Sequence, residues 1–130
     1  MEVSYEKIFK ELDIPYGIEE INDYAFADVY FRNSFTLPKN IKKLGINAFP
    51  NSNATRKDDL FIYGKNEDGT TDKTTLMSYI GDGNENNQKI TIPSTVKEIG
   101  ANAFNNKNMT EVVLNEGLEI IGKNAFNNAY

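Results

Sequence analysis

Apolar residues recur along this chain in a fixed order. Leu12, Phe35, Ile90 and Val112 open the series, and Ile14, Leu37, Ile92 and Leu114 follow two residues later. Ile18, Ile41, Val96 and Leu118 come next, then Ile21, Leu44, Ile99 and Ile121. Each series closes on an Ala-Phe pair, at Ala25-Phe26, Ala48-Phe49, Ala103-Phe104 and Ala125-Phe126. The first two columns are two residues apart, the alternation of a strand with one buried face. The later columns are three to four apart, which suits a bent return path. A unit of this kind cannot bury its apolar face alone, so the pattern predicts a solenoid in which every series is one coil.

The closing phenylalanines are 23, 55 and 22 residues apart. The long gap holds about two repeats plus roughly ten inserted residues. A degenerate coil is therefore expected between Phe49 and Ile90, with its strand at Leu60-Phe61-Ile62-Tyr63. The reading is one domain over 1–130, with coils at about 12–34, 35–59, 60–89 (degenerate, with an insertion), 90–111 and 112–130. Residues 1–11 are a candidate N-terminal cap: MEVSYEKIFKEL forms either a short amphipathic helix through Val3, Ile8 and Leu12 or a first strand with Phe9. The sequence stops at Tyr130, where a further strand would begin, and nothing after Phe126 resembles a polar cap. This predicts a longer protein whose array continues, or an end that stacks on something.

The polar positions between the columns fit the same scheme. Pro15, Pro38 and Pro93 follow the strand directly, where proline blocks the ladder and presets a turn. Gly17, Asn40, Thr95 and Gly117 stand two residues further on. Asn22, Gly45, Gly100 and Gly122 follow the fourth apolar column, and glycine alternating with asparagine predicts a left-handed backbone there. In-register stacking would set Glu19 and Glu20 beside Lys42 and Lys43, and Lys97 beside Glu119.

Composition narrows the function. The chain has no histidine and no cysteine, which removes the commonest general base, the usual triad member, disulfides and thiolate metal sites. Carboxylates such as Glu19 and Glu20 sit on a repeated outer face instead of a cleft, so no enzyme is expected. A net charge of −5 has the wrong sign for a phosphate-binding surface, which argues against nucleic acid. No apolar run approaches the roughly 18 residues of a membrane span, so membrane insertion is not expected, and MEVSYEKIFK lacks the apolar region of a signal peptide.

The stretches IPSTVKEIGANAF and VVLNEGLEIIGKNAF resemble the repeat of the BspA-type bacterial leucine-rich repeat family, which runs roughly Ile-x-Ile-Pro-x-x-Val-x-x-Ile-Gly-x-x-Ala-Phe. GKNEDGTTDKTTLMSYIGDGNENNQKITIPSTV is similar to the hairpin that family inserts, with an Asp-Gly turn and a short second strand. This chain departs from the pattern in its third coil, which lacks Ala-Phe, and at Asn22. The resemblance implies a right-handed solenoid with a short parallel sheet on its concave face and a mostly irregular or short-helical convex side. It implies no catalytic residue, and no cofactor is expected. It further implies a cell-surface or secreted protein of bacteria or some protists that attaches to a host or to neighbouring cells. The partner would be a protein or a glycan, alongside adjacent repeats or domains of the full-length protein.

In such a coil the residues beside the buried strand positions face out from the concave sheet: Glu11 and Asp13, Ser34 and Thr36, Asp59, Phe61 and Tyr63, Lys89 and Thr91, Glu111 and Val113. Phe61 and Tyr63, with Thr36, Thr91 and Val113, form the candidate binding face, because exposed aromatics on a rigid sheet have the character of interface anchors. The alternative is that the inserted hairpin folds back and makes the aromatics core. Calcium is a poor fit: counted from Asp82, Asn87 replaces the loop glycine and Pro93 the final glutamate. No metal site is expected. The asparagines at 105, 106, 108, 127 and 128 belong to the outer arc, where short amides bond their own backbone. The rival function is a structural spacer or assembly segment that binds nothing itself.

Overall fold

A computed structural model of the chain describes residues 7–9, 13–27, 29–31, 34–49, 60–80, 89–105, 107 and 109–127. Among them the chain forms strands, turns and bends, and no helix. In chain order the strands are β1 (Lys7–Phe9), β2 (Glu20–Ile21), β3 (Val29–Phe31), β4 (Thr36–Pro38), β5 (Lys43–Leu44) and β6 (Phe61–Lys65). They continue with β7 (Thr71–Tyr79), β8 (Lys89–Thr91), β9 (Glu98–Ile99), β10 (Glu111–Val113) and β11 (Ile120–Ile121). Parallel partners lie about one repeat apart: β1 with β3, β2 with β5, β8 with β10 and β9 with β11. The chain is a β-solenoid. Lys7–Phe9 is a strand, which decides between the two readings of the N-terminal segment for those residues.

The apolar columns are where the coils meet. In the fourth coil Ile90, Ile92, Val96, Ile99, Ala103 and Phe104 are all buried, as are Leu37, Leu44, Ala48 and Phe49 in the second. The column phenylalanines stack, with Phe26 on Phe49 at 5.1 Å and Phe104 on Phe126 at 5.0 Å between ring centroids. Backbone bonds repeat with the same period. The Phe26 N–H donates to the carbonyl of Ala48, and the Phe104 N–H to that of Ala125.

The charge register follows the stacking. Glu20 and Lys43 are direct partners, Lys42 Nζ lies 3.8 Å from Glu19, and the Glu119 N–H donates to the Lys97 carbonyl. Asn40 and Thr95 reach back one coil: Asn40 Nδ2 donates to the Tyr16 carbonyl and Thr95 Oγ1 to that of Lys73. These two turn residues are rivets between coils.

The corner differs from expectation. Left-handed backbone falls not at Asn22, Gly45, Gly100 and Gly122 but two residues later, at Tyr24, Asn47, Asn102 and Asn124, each just before alanine. Asparagine tolerates that conformation better than other side chains. The corner glycines answer a different demand, which is close approach. A Cβ on Gly45 would lie 2.3 Å from the Asp23 nitrogen, and one on Gly122 would lie 2.6 Å from the Ala101 nitrogen. Both atoms are backbone of the preceding coil and cannot yield.

The third coil is rebuilt around the inserted hairpin. β6 pairs parallel with β4, β7 antiparallel with β6, and β7 parallel with β9, so one five-stranded sheet of order β11-β9-β7-β6-β4 runs from the strand ladder into the corner ladder. Its turn has the Asp-Gly expected of it. The Gly69 N–H donates to the Asn66 carbonyl with Gly69 at φ 92°, and Asp68 Oδ1 accepts from the Thr70 amide and hydroxyl. The second strand is not short: at nine residues β7 is the longest among the described residues.

Two positions in the third coil are corrected by the register. Thr36 pairs with Tyr63 and Leu37 with Gly64, so Ile62 stands level with Phe35, two residues off the alignment that put Leu60 and Ile62 in the first two columns. Leu76 pairs with Ile99 and so fills the fourth column. Tyr79 takes the place of the missing phenylalanine: its ring stacks on Phe104 at 5.2 Å, and its N–H donates to the Ala103 carbonyl. Ser78-Tyr79 is the Ala-Phe of this coil. It arrives three residues after Leu76, where Phe104 follows Ile99 by five, so the third coil has no left-handed corner.

Candidate functional site

The outward positions of β4, β6, β8 and β10 form the candidate face. They alternate with buried residues, as Leu37, Ile62 and Ile90 show, and they stand on strands held by backbone bonds on at least one side. Thr36 is half-buried and level with Tyr63. Phe61 lies two residues along the same strand, with its ring 6.5 Å from that of Tyr63. Thr91 and Val113 are exposed and directly paired across β8 and β10, as are Lys89 and Glu111. Glu11 and Asp59 lie outside the described residues.

The five candidate residues therefore fall into two groups. Thr36, Phe61 and Tyr63 belong to the five-stranded sheet, whereas Thr91 and Val113 belong to the separate β8–β10 pair. Val113 does not flank the aromatics through a continuous ladder. The hairpin accounts for the separation, because β7 occupies the free edge of β6.

The aromatics are also less free than a bare strand would leave them. Phe61 is half-buried, and its ring sits 5.4 Å from that of Tyr79, which is buried and stacked on Phe104. Phe61 is thus tied to the core aromatics. Tyr63 is half-buried too, and Lys73 Nζ lies over its ring at 5.8 Å. That is within the range where an ammonium is attracted by the ring face.

Ion pairs border this face. Lys65 Nζ donates to Asp13 Oδ1 at 2.9 Å and to the Ile14 carbonyl, and Lys39 Nζ donates to Asp72 Oδ2 at 3.1 Å. Asp72 Oδ1 also accepts from the Thr74 hydroxyl and amide. The Thr74 bonds, with the Lys39 bond added, lower the Asp72 carboxyl from 3.8 to about 2. Bonds from Thr70 hold Asp68 below its ordinary value as well. Both carboxylates are kept ionised, the opposite of what a general acid near neutrality requires. No group of three or more metal-ligating side chains occurs among the described residues. Asp82 and Asn87 of the poorly fitting calcium loop lie outside them, while Asp68 Oδ1 accepts from the Thr70 hydroxyl.

Two polar residues of the arrangement, Lys107 and Asn102, have no role in the sequence reading, and a third, Asn105, departs from the outer-arc role expected of it. Lys107 is buried, and its Nζ donates to the Phe49 carbonyl at 3.3 Å, although it stands inside the asparagine run expected on the outer arc. Asn105 is buried as well, with Nδ2 directed at Asn102 Oδ1 and the Asn124 carbonyl. Asn102 Nδ2 donates to the Leu44 carbonyl at 2.8 Å. The recurring Asn-Ala-Phe tripeptide was the available signal for Asn102.

The period, the stacked phenylalanines and the inserted hairpin agree with a comparison to known families: the BspA type leucine rich repeat region matches in six copies, over residues 3–61 and 71–130. The chain belongs to that family. The internal unmatched stretch, 62–70, is most of β6 and the hairpin turn, where the coil departs from its period. No curated protein and no solved structure matches the chain. BspA-type leucine-rich repeats are in general non-catalytic, mediate protein interactions and are associated with bacterial surface or secreted proteins.

Proposed function

We propose that this BspA-type domain is a non-catalytic recognition module of a bacterial surface or secreted protein, and that it attaches to a protein on a host or neighbouring cell. Binding uses the outward face of the parallel strands. The observation that carries this reading is the half-exposed Tyr63 ring, held on a five-stranded sheet beside Thr36 and under Lys73. A rigid aromatic next to polar side chains loses little entropy on binding and fills a pocket well. Thr91 and Val113 supply a second, exposed contact on β8 and β10.

The test compares the 130-residue domain with Tyr63→Ser and Thr36→Ala/Thr91→Ala on immobilised host matrix proteins and a glycan array. Phe61 is left intact, because its contact with Tyr79 would confound binding with stability. Binding by the parent that falls at least tenfold in Tyr63→Ser supports the reading. Equal binding by all forms removes this face from consideration, and no binding by any form favours a spacer that projects other parts of the protein.

A further inference from the structure

The corner ladder breaks between the second coil and the third. Among the described residues β5 pairs only with β2, while β7, at the level of the third coil, pairs onward with β9. Elsewhere each corner sends backbone N–H groups to the coil before it. The Glu19 carbonyl accepts from Lys42 and Lys43, that of Thr74 from Lys97, and that of Lys97 from Glu119 and Ile120. Lys42 is the counterpart of these acceptors in the second coil, and its carbonyl receives no N–H from the described residues of the third. The next carbonyl along this edge, that of Leu44, is met by the Asn102 side chain instead.

The break opens a cleft of about 690 Å³, a size within the range of small-molecule sites. Ile41, Leu44 and Met77 supply its apolar part. Its charges cancel, with Lys39 and Lys42 against Asp72 and Glu98. Lys39 is bound to Asp72, whose other oxygen takes the Thr74 hydroxyl and amide. Glu98 makes no ion pair among the described residues. Asn40, which also lines the cleft, spends its Nδ2 on the Tyr16 carbonyl and keeps its amide oxygen. Hydrogen-bonding capacity is therefore left mainly on acceptors: the Lys42 carbonyl, the Glu98 carboxylate and the Asn40 oxygen.

These features select a class of ligand. Cancelling charges give no field to draw in a phosphate or a polyamine. An extended peptide added to the β5 edge would need the Leu44 carbonyl, which Asn102 already occupies. A neutral sugar meets the remaining requirements, because its hydroxyls donate to the open acceptors while its C–H faces cover the apolar part. We propose that the cleft between the second coil and the inserted hairpin binds a short neutral oligosaccharide. The site is separate from the face around Tyr63, none of whose candidate residues lines it, so the two readings fail independently.

The test probes an array of neutral, sialylated and sulfated oligosaccharides with the 130-residue chain and three variants, and titrates the strongest neutral hit by calorimetry. Glu98→Ala removes an acceptor. Ala101→Lys fills the cleft from an exposed position whose counterpart in the fifth coil is Lys123, so the fold accommodates that side chain. Tyr63→Ser alters only the outward face. The parent is expected to bind neutral oligosaccharides, both cleft variants to bind at least tenfold more weakly with unchanged far-ultraviolet spectra, and Tyr63→Ser to bind like the parent. No neutral oligosaccharide bound, binding confined to sialylated or sulfated glycans, parental affinity in either cleft variant, or loss of binding in Tyr63→Ser overturns the proposal.

Discussion

Asn102 of the fourth coil donates its side-chain amide to the carbonyl of Leu44 in the second, 58 residues earlier. The bond spans the level at which the third coil, two residues short, has no corner of its own. Lys107 does the same for the outer arc, reaching the Phe49 carbonyl over an equal sequence distance. Polar side chains from the fourth coil thus satisfy backbone that a regular third coil would have covered.

Asn102 carries two roles, a left-handed backbone and the bridge, and substitution separates them. Asn102→Ala loses both and costs about 2 kcal/mol, while Asn102→Gly keeps the conformation and costs about 1 kcal/mol. Urea midpoints for the two variants check the order.

Gly45→Ala forces a methyl against the backbone of Asn22 and Asp23 and destabilises by roughly 2–3 kcal/mol or more. Gly17, whose added Cβ would meet nothing within 4 Å, accepts alanine within about 0.5 kcal/mol. Equal effects at the two sites would show that close approach is not what the corner glycine provides.

Phe49→Ala and Phe104→Ala each cost roughly 3–5 kcal/mol, because both rings are fully buried and stacked. Phe126→Ala, half-buried in the fifth coil, costs about half as much. Denaturant midpoints of the three variants test this ranking.

Asp72 gives a pH signature. Its carboxyl is lowered from 3.8 to about 2, so its stabilising contribution is complete above pH 3.8 and is lost as pH falls through 2. Asp72→Asn is expected to be less stable than the parent by about 1 kcal/mol at neutral pH, a value discounted because Lys39 is well exposed. The gap should close between pH 4 and 2, and thermal melts of both proteins across that window measure it.

The regular coils were legible because their columns repeat: Ile14, Leu37 and Ile92 announce a strand face, and the pairings of Glu19 and Glu20 with Lys42 and Lys43 announce the register. The third coil was not, for a physical reason. A nine-residue strand takes the path of a corner and delivers Tyr79 to the aromatic stack by a route that breaks the period, so alignment on Ala-Phe passes over it. The alternation of glycine with asparagine points to the left-handed position because those residues tolerate it best, yet here close approach decides Gly45 and Gly122, and Tyr24, Asn47, Asn102 and Asn124 carry the conformation. The candidate face was legible in composition but not in continuity, since nothing in Phe61-Ile62-Tyr63 reports that β7 will take the edge of β6. Lys107 illustrates the limit: a lysine among asparagines reads as surface until a neighbouring carbonyl lacks a donor.

Lys65 extends from the third coil past the second to Asp13 and Ile14 in the first. An array whose units touched only their neighbours would shed them one at a time from an end, each at its own small cost. A strut across two boundaries couples next-nearest units, and the struts of Lys65, Asn102 and Lys107 overlap at the second coil. The first four coils are thereby cross-linked beyond nearest neighbours, whereas among the described residues the fifth is held by the fourth alone.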